Sequence, residues 1–222
     1  MIPKKLHYCW FGKSNMPALS DECLKSWKRY LGEYEVKLWN EENCPKNDFI
    51  DYHLEMQNWA FVSDYVRLYA LITEGGIYLD TDIEVLQSFD PLLQSSGFVG
   101  YQSGTSINNG VCGSEKGNEF FISCLKRMES TFNAKSKFEI SPVVTTKTYA
   151  SGTWNIDVYP SHFFYPYNPY DPDRPVNQLM YSMIKSDTYA IHHWEKSWDL
   201  GKLSFGQRLR RKLVKTKLKL GY

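Results

Sequence analysis

Cysteine is scarce and poorly placed for structural work. The five thiols, Cys9, Cys23, Cys44, Cys112 and Cys124, are odd in number, scattered and never arranged as C-x-x-C. That argues against a disulfide framework or a thiolate zinc site and fits reduced, ordinary thiols. No run reaches the ~18 apolar residues a membrane-spanning helix needs. The opening MIPKKLHYCWFG lacks the apolar core of a signal peptide, so a cytoplasmic protein, soluble or peripherally attached, is expected. Excess positive charge is lacking from most of the chain. The net charge is +1, but residues 202–222 hold eight basic residues and no acid, leaving 18 basic against 25 acidic residues elsewhere, near −7. Nucleic-acid binding wants a broad basic face, and this body does not supply one. Internal repeats and low-complexity segments are absent as well.

Aromatics are abundant, with 16 Tyr, 12 Phe and 7 Trp among 222 residues, and hydrophobic residues make up 42%. One sizeable core is therefore expected. Strands are expected over Ile2–Trp10, Tyr34–Trp39 and Ile77–Leu79, with helices over Leu19–Tyr30 and Trp59–Glu74. The latter repeats Phe61, Tyr65, Leu68, Tyr69 and Ile72 at helical spacing and stops at Gly75-Gly76. Strands near Phe98–Tyr101 and Gly110–Gly113 flank an expected loop at Gln102–Asn109. A helix at Phe120–Phe132, an extended loop at 159–174 and a closing strand at Tyr189–Ile191 complete the reading. Alternating strands and helices imply an α/β fold with a mixed, mainly parallel central sheet flanked by helices. The expected division is one domain over 1–201 and a basic amphipathic tail over 202–222. On a helix, Phe205, Leu209, Leu213, Thr216 and Leu220 of that tail form one narrow stripe amid basic residues, the pattern of a helix lying on an anionic membrane.

Chemistry concentrates in Gly75-Gly76-Ile77-Tyr78-Leu79-Asp80-Thr81-Asp82-Ile83-Glu84. Alternate residues of a strand share a face, so Asp80 and Asp82 point the same way if the extended geometry persists. Two carboxylates just beyond a buried apolar strand make a hard-oxygen site suited to Mg²⁺ or Mn²⁺. They also lie at the carboxyl end of a strand, where open α/β sheets bind ligands. A bare D-x-D is more often an exposed turn, and the apolar strand and preceding glycines are what raise this one above that alternative.

Asn58–Leu86 (NWAFVSDYVRLYALITEGGIYLDTDIEVL), Ile2–Gly12 (IPKKLHYCWFG) and Ala190–Trp198 (AIHHWEKSW) together resemble the DXD-containing glycosyltransferases of family 32. That group includes fungal mannosyltransferases and bacterial capsule and exopolysaccharide enzymes, with glucosylating toxins as distant forms. The resemblance implies a GT-A (Rossmann-like) fold and a Mn²⁺ or Mg²⁺ ion. The implied reaction is retaining transfer of a hexosyl unit from a nucleotide-sugar donor, UDP-sugar favoured, to a saccharide or lipid-linked saccharide. It assigns metal-associated roles to Asp80 and Asp82, a donor-facing pair to Asp64 and Arg67, and a base contact to Trp10. A further metal or diphosphate contact falls on His192 or His193, with His192 taken as the ligand. Ser197 and Trp198 fall on closing diphosphate contacts.

Each residue has a plainer alternative. Asp64 and Arg67 are three apart on a helix and could be a surface pair. Trp10 could be core. Asn108-Asn109-Gly110 could be a tight turn, or the Asn109 amide could lie over the donor sugar. Two other function classes remain open: a metal-dependent phosphohydrolase, which would want more clustered acids or histidines, and a catalytically silent sugar- or nucleotide-binding protein.

Overall fold

The computed structural model describes residues 1–134, 138–171, 173 and 176–195. Its centre is a six-stranded sheet in the order β2-β1-β3-β6-β5-β7, built from β1 (Lys5–Cys9), β2 (Glu35–Trp39), β3 (Gly76–Leu79), β5 (Gly97–Ser103), β6 (Ser106–Ser114) and β7 (Asp157–Tyr159). β1 runs parallel to both β2 and β3, β6 runs antiparallel to β3 and β5, and β7 is parallel to β5. The expected mixed, mainly parallel sheet is present. A separate antiparallel pair joins β4 (Ile83–Val85) to β8 (Ala190–His192), with Ile83 opposite His192.

Helices cover both faces. α1 (Ala18–Tyr30) turns Cys23 and Trp27 inward, and the Trp27 indole donates to the Ile83 carbonyl at 2.6 Å, tying the helix to β4. α3 (Trp59–Glu74) buries Val62, Tyr65, Val66, Leu68 and Leu71 together with two charged residues, Asp64 and Arg67. Gly75 (φ 71°) ends it and Gly76 (φ 105°) starts β3. A Cβ on Gly76 would lie 2.6 Å from the Lys5 carbonyl oxygen. Positive φ and close packing on β1 both require glycine there. α3 packs with α4 (Glu119–Asn133), which packs with α5 (Ser141–Ala150), on one face of the sheet. The other face buries Trp27, Leu31, Phe89, Phe164 and Tyr165. Most of the aromatic surplus is core.

Three expectations change. Gln102–Asn109 is not a loop: β5 and β6 continue into a hairpin whose turn is Gly104-Thr105, and Asn108-Asn109-Gly110 lies mid-strand. α5 and the short α2 (Asp48–Glu55), capped by the Asn47 side chain on the Ile50 amide, fill stretches given no element. The 159–174 stretch begins inside β7 and contains a 3₁₀ turn at Ser161–Phe163. The 202–222 tail lies outside the described residues, among which no helix is long and apolar enough to cross a membrane.

His53 of α2 gives the fold an acid-sensitive point. Its ring is enclosed by Phe49, Tyr52, Phe61, Phe132 and Phe138, with centroids 4.4–6.2 Å away, and burial lowers its pKa to about 4. Between that value and the ordinary ~6.5 the unfolded chain binds the proton and the folded chain does not. This contribution to stability is therefore complete above pH ~6.5 and lost as pH falls toward 4, up to ~3 kcal/mol. His53→Phe should flatten the fall in thermal midpoint across that window; an unchanged slope would rule His53 out as its source.

Candidate metal and donor site

The site forms where β1, β2 and β3 end together. β3 stops at Leu79, and the Asp80 amide donates to the Gly110 carbonyl at 2.8 Å. The chain then reverses: the Ile83 amide donates to the Asp80 carbonyl at 3.0 Å. Asp80 and Asp82 are thus brought to one side by a turn and not by strand alternation. β8 adds the third group. Pairing of Ile83 with His192 sets the imidazole Nε2 3.2 Å from Asp82 Oδ2. One ligand atom each from Asp80, Asp82 and His192 lies within 4.8 Å of the others. Two carboxylate oxygens and an imidazole nitrogen suit Mg²⁺ or Mn²⁺, the nitrogen favouring the latter.

The two acids are held differently. Asp80 Oδ1 accepts from Arg67 Nη2 at 2.9 Å and from the Tyr78 hydroxyl at 3.1 Å. Burial pushes its carboxyl above the ordinary range, with Arg67 opposing and Asp82 adding to the rise. At Asp82, burial is outweighed by the charge and hydrogen bond of His192 and by the Glu195 amide, so its carboxyl falls below that range. The Glu195 amide donates to Asp82 Oδ2 at 2.8 Å, and the His193 amide donates to the Asp82 carbonyl at 3.0 Å. The adjacent histidines do face opposite ways. His193 Nε2 meets Glu84 at 2.9 Å, which leaves His192 at the cluster.

Arg67 is the hub beneath. Nη2 contacts Asp64 at 3.1 Å as well as Asp80, Nη1 donates to Asn109 Oδ1 at 2.9 Å and to its carbonyl at 3.1 Å, and the guanidinium lies over the Tyr78 ring at 4.6 Å. Asp64 and Arg67 are a buried pair, not a surface one. Burial raises the Asp64 carboxyl to about 6 despite Arg67 and the Ser141 hydrogen bonds. Asn109 is corrected too. It is 1% exposed and its Oδ1 also accepts from Ser141 Oγ at 2.7 Å, so the amide lies under the site holding Arg67, not over a donor sugar. Trp10, half-buried, lines a recess with Lys13, Leu38, Asn40, Glu41 and Glu42 at the ends of β1 and β2. Since His7 pairs with Tyr78, the chain leaves β1 at Trp10 one strand, ~4.8 Å, from where it leaves β3 at Asp80. Ser197 and Trp198 lie outside the described residues.

Gly110 is a site residue that sequence reading passed over as turn chemistry. A Cβ there would sit 2.6 Å from Asp80 Oδ2 and 3.1 Å from Asn108 Oδ1. Because Asp80 Oδ1 is tied to Arg67 and Tyr78, the added methyl would push on the carboxylate's other oxygen, Oδ2, and shift the group. Gly110→Ala should cut activity by roughly 10–10²-fold, the scale for ~1 Å misplacement, with little change in thermal midpoint. Wild-type turnover in this variant would show that Asp80 tolerates the shift.

Comparison with known proteins agrees with this layout. The GT-A glycosyltransferase fold is shown by the solved PaToxG glycosyltransferase, which superposes on 66% of this chain and 68% of its own at a TM-score of 0.55 and 18% identity. The glycosyltransferase GlyE of Streptococcus pneumoniae covers 95% of this chain and 60% of its own at a TM-score of 0.50 and 12% identity. Residues 17–99 match the model of the "Glycosyltransferase sugar-binding region containing DXD motif", so the chain carries that region within a GT-A fold. Among relatives, inositol phosphoceramide mannosyltransferase 3 of Schizosaccharomyces pombe is 27% identical over 226 residues, covering 92% of this chain and 63% of the relative. Mouse lactosylceramide 4-alpha-galactosyltransferase is 27% identical over 151 residues, covering 61% and 41%. The chain thus spans less than two thirds of either relative's length.

Proposed function

We propose that this chain is a glycosyltransferase that moves a hexosyl unit from a nucleoside-diphosphate sugar to a saccharide or lipid-linked saccharide. The observation that carries the reading is the convergence of Asp80, Asp82 and His192 at the carboxyl edge of a GT-A sheet. A divalent cation held there would offset the charge that develops on the departing diphosphate. Arg67 fixes Asp80 and spreads positive charge beneath the cluster. The recess beside Trp10 is where the base would stack, and a uridine donor is favoured over guanosine because Trp10 suits a small stacked base. The acids are already committed: Asp80 to Arg67 and Tyr78, Asp82 to His192 and the Glu195 amide, Asp64 to Arg67 and Ser141. That favours retention by front-face displacement, in which the leaving phosphate takes the acceptor proton, over a covalent carboxylate intermediate.

Two of the relatives are named for ceramide-linked acceptors. With the basic 202–222 segment, this supports an acceptor at a membrane surface and peripheral attachment, which we place at the inner face of the cytoplasmic membrane; a role in capsule or exopolysaccharide synthesis is proposed on the resemblance alone. Co-sedimentation with anionic liposomes that disappears on deleting 202–222 would support the attachment, and binding indifferent to lipid charge would refute it. The activity itself is tested with Mn²⁺ and a panel of UDP- and GDP-hexoses. Acceptor-dependent nucleotide release, abolished by chelator, is expected. Inorganic phosphate as the product would point to a phosphohydrolase, and nucleotide binding without turnover to a silent binding protein.

A further inference from the structure

The turn that follows β8 carries backbone strain. Trp194 has a positive φ of 59°, a conformation that a bulky residue rarely adopts. Such strain persists only where the surroundings over-determine it. Here they do. The Trp194 indole stacks on the His192 ring, with centroids 4.1 Å apart and planes 27° apart. Its Nε1 donates to the Tyr167 carbonyl at 2.8 Å. Tyr165 flanks both rings, 5.8 Å from His192 and 6.0 Å from Trp194, and Tyr170 meets the outer edge of the indole at 6.1 Å. The same turn delivers the His193 and Glu195 amides to the Asp82 carbonyl and carboxylate. His192 lacks the usual support for a ligand histidine. Among the described residues its Nδ1 is buried without a hydrogen-bond partner, where a carboxylate or carbonyl would ordinarily fix ring orientation.

We propose that Trp194 is a positioning residue. Its indole, wedged in the strained turn, is the element that sets the plane of the His192 imidazole, and the turn itself orients Asp82. This rests on the reading of Asp80, Asp82 and His192 as a cation site. It adds that the affinity of the site is set by a residue that touches no ion.

The test compares Trp194→Phe, which keeps a stacking ring, with Trp194→Leu, which keeps bulk but no ring. Mn²⁺ affinity is measured calorimetrically with and without UDP or GDP. Pulsed electron paramagnetic resonance follows the ¹⁴N coupling of a bound imidazole, and thermal midpoints without metal report folding. Loss of outer support around a metal ligand typically weakens binding 10–100-fold. Trp194→Leu should fall in that range with a diminished nitrogen signal, and Trp194→Phe should stay close to wild type. Equal affinity and equal nitrogen coupling in wild type and Trp194→Leu would overturn the inference. So would a Leu variant that loses thermal stability while its nitrogen signal is unchanged, since Trp194 would then be packing alone. Failure of the underlying reading looks different: the wild type itself would bind Mn²⁺ without nitrogen coupling, or not at all, and both proposals would fall together.

Discussion

Asp82→Asn is expected to lower turnover by roughly 10²–10³-fold while leaving the fold intact, the scale for deleting one major electrostatic stabiliser. The substitution is nearly isosteric. The Asn carbonyl oxygen can still accept from the Glu195 amide, and the backbone bond from the His193 amide is untouched. What disappears is one negative charge, and an amide NH₂ takes the place of the other carboxylate oxygen. Cation affinity should therefore drop without an unfolding transition moving far. Acceptor-dependent nucleotide release alongside a thermal melt separates these effects. Full turnover in Asp82→Asn would refute the metal role assigned to this residue.

Arg67→Ala should lose both activity and stability, and the stability loss is the more telling. Arg67 is 5% exposed, and its removal leaves Asp64, 8% exposed, without its charge partner and Asp80 without its principal one. Breaking a buried ion pair on one side costs about 3–5 kcal/mol. At this chain length that corresponds to a fall in thermal midpoint of ~6–20 °C. Arg67→Lys should recover only part, because one ammonium cannot serve Asp64, Asp80 and Asn109 as the planar fork does. The deficit has a pH signature. Burial already raises Asp64 to about 6, and without Arg67 the rise is larger. A carboxyl whose folded pKa exceeds its unfolded value of ~3.9 destabilises fully above the folded value and not at all below the unfolded one. Through this carboxyl the gap between wild type and Arg67→Ala should therefore narrow as pH falls from the alkaline side to about 6, and change no further below it, where Asp64 is protonated in both folded proteins. A gap constant with pH would mean that lost packing, and not stranded charge, causes it.

The sequence exposed some of this and hid the rest for identifiable reasons. α3 was legible because its apolar residues repeat at helical spacing and two glycines end it, and its observed bounds are those expected. The acidic pair was found through the right residues but the wrong geometry. Thr81 lies in a turn, and only hydrogen bonding between Asp80 and Ile83 reveals that. Asn108-Asn109-Gly110 misled because its local turn signal is strong, whereas its real determinants are distant: Arg67 and Ser141 hold Asn109, and the Asp80 carboxylate needs the space over Gly110. α5 opens Ser141-Pro142-Val143-Val144-Thr145-Thr146, a β-branched run that hides a helix begun by proline at its first turn. α2 could have been found from Asn47 followed by Asp48 and Asp51, a cap with acids in the first turn. The choice between His192 and His193 had no answer in the sequence, since it depends on which face β8 turns toward β4.

That last pairing has a consequence for the order in which the molecule comes into being. Asp80 and Asp82 are synthesised before the nitrogen that would complete the cluster, which belongs to residue 192, on a two-stranded ribbon outside the main sheet. Every strand of the six-stranded sheet ends by Tyr159. A nascent chain can therefore close its central sheet and still have no third ligand. Cation capture, if the cluster binds one, would thus report that β8 has docked on β4, a step that can lag behind closure of the central sheet.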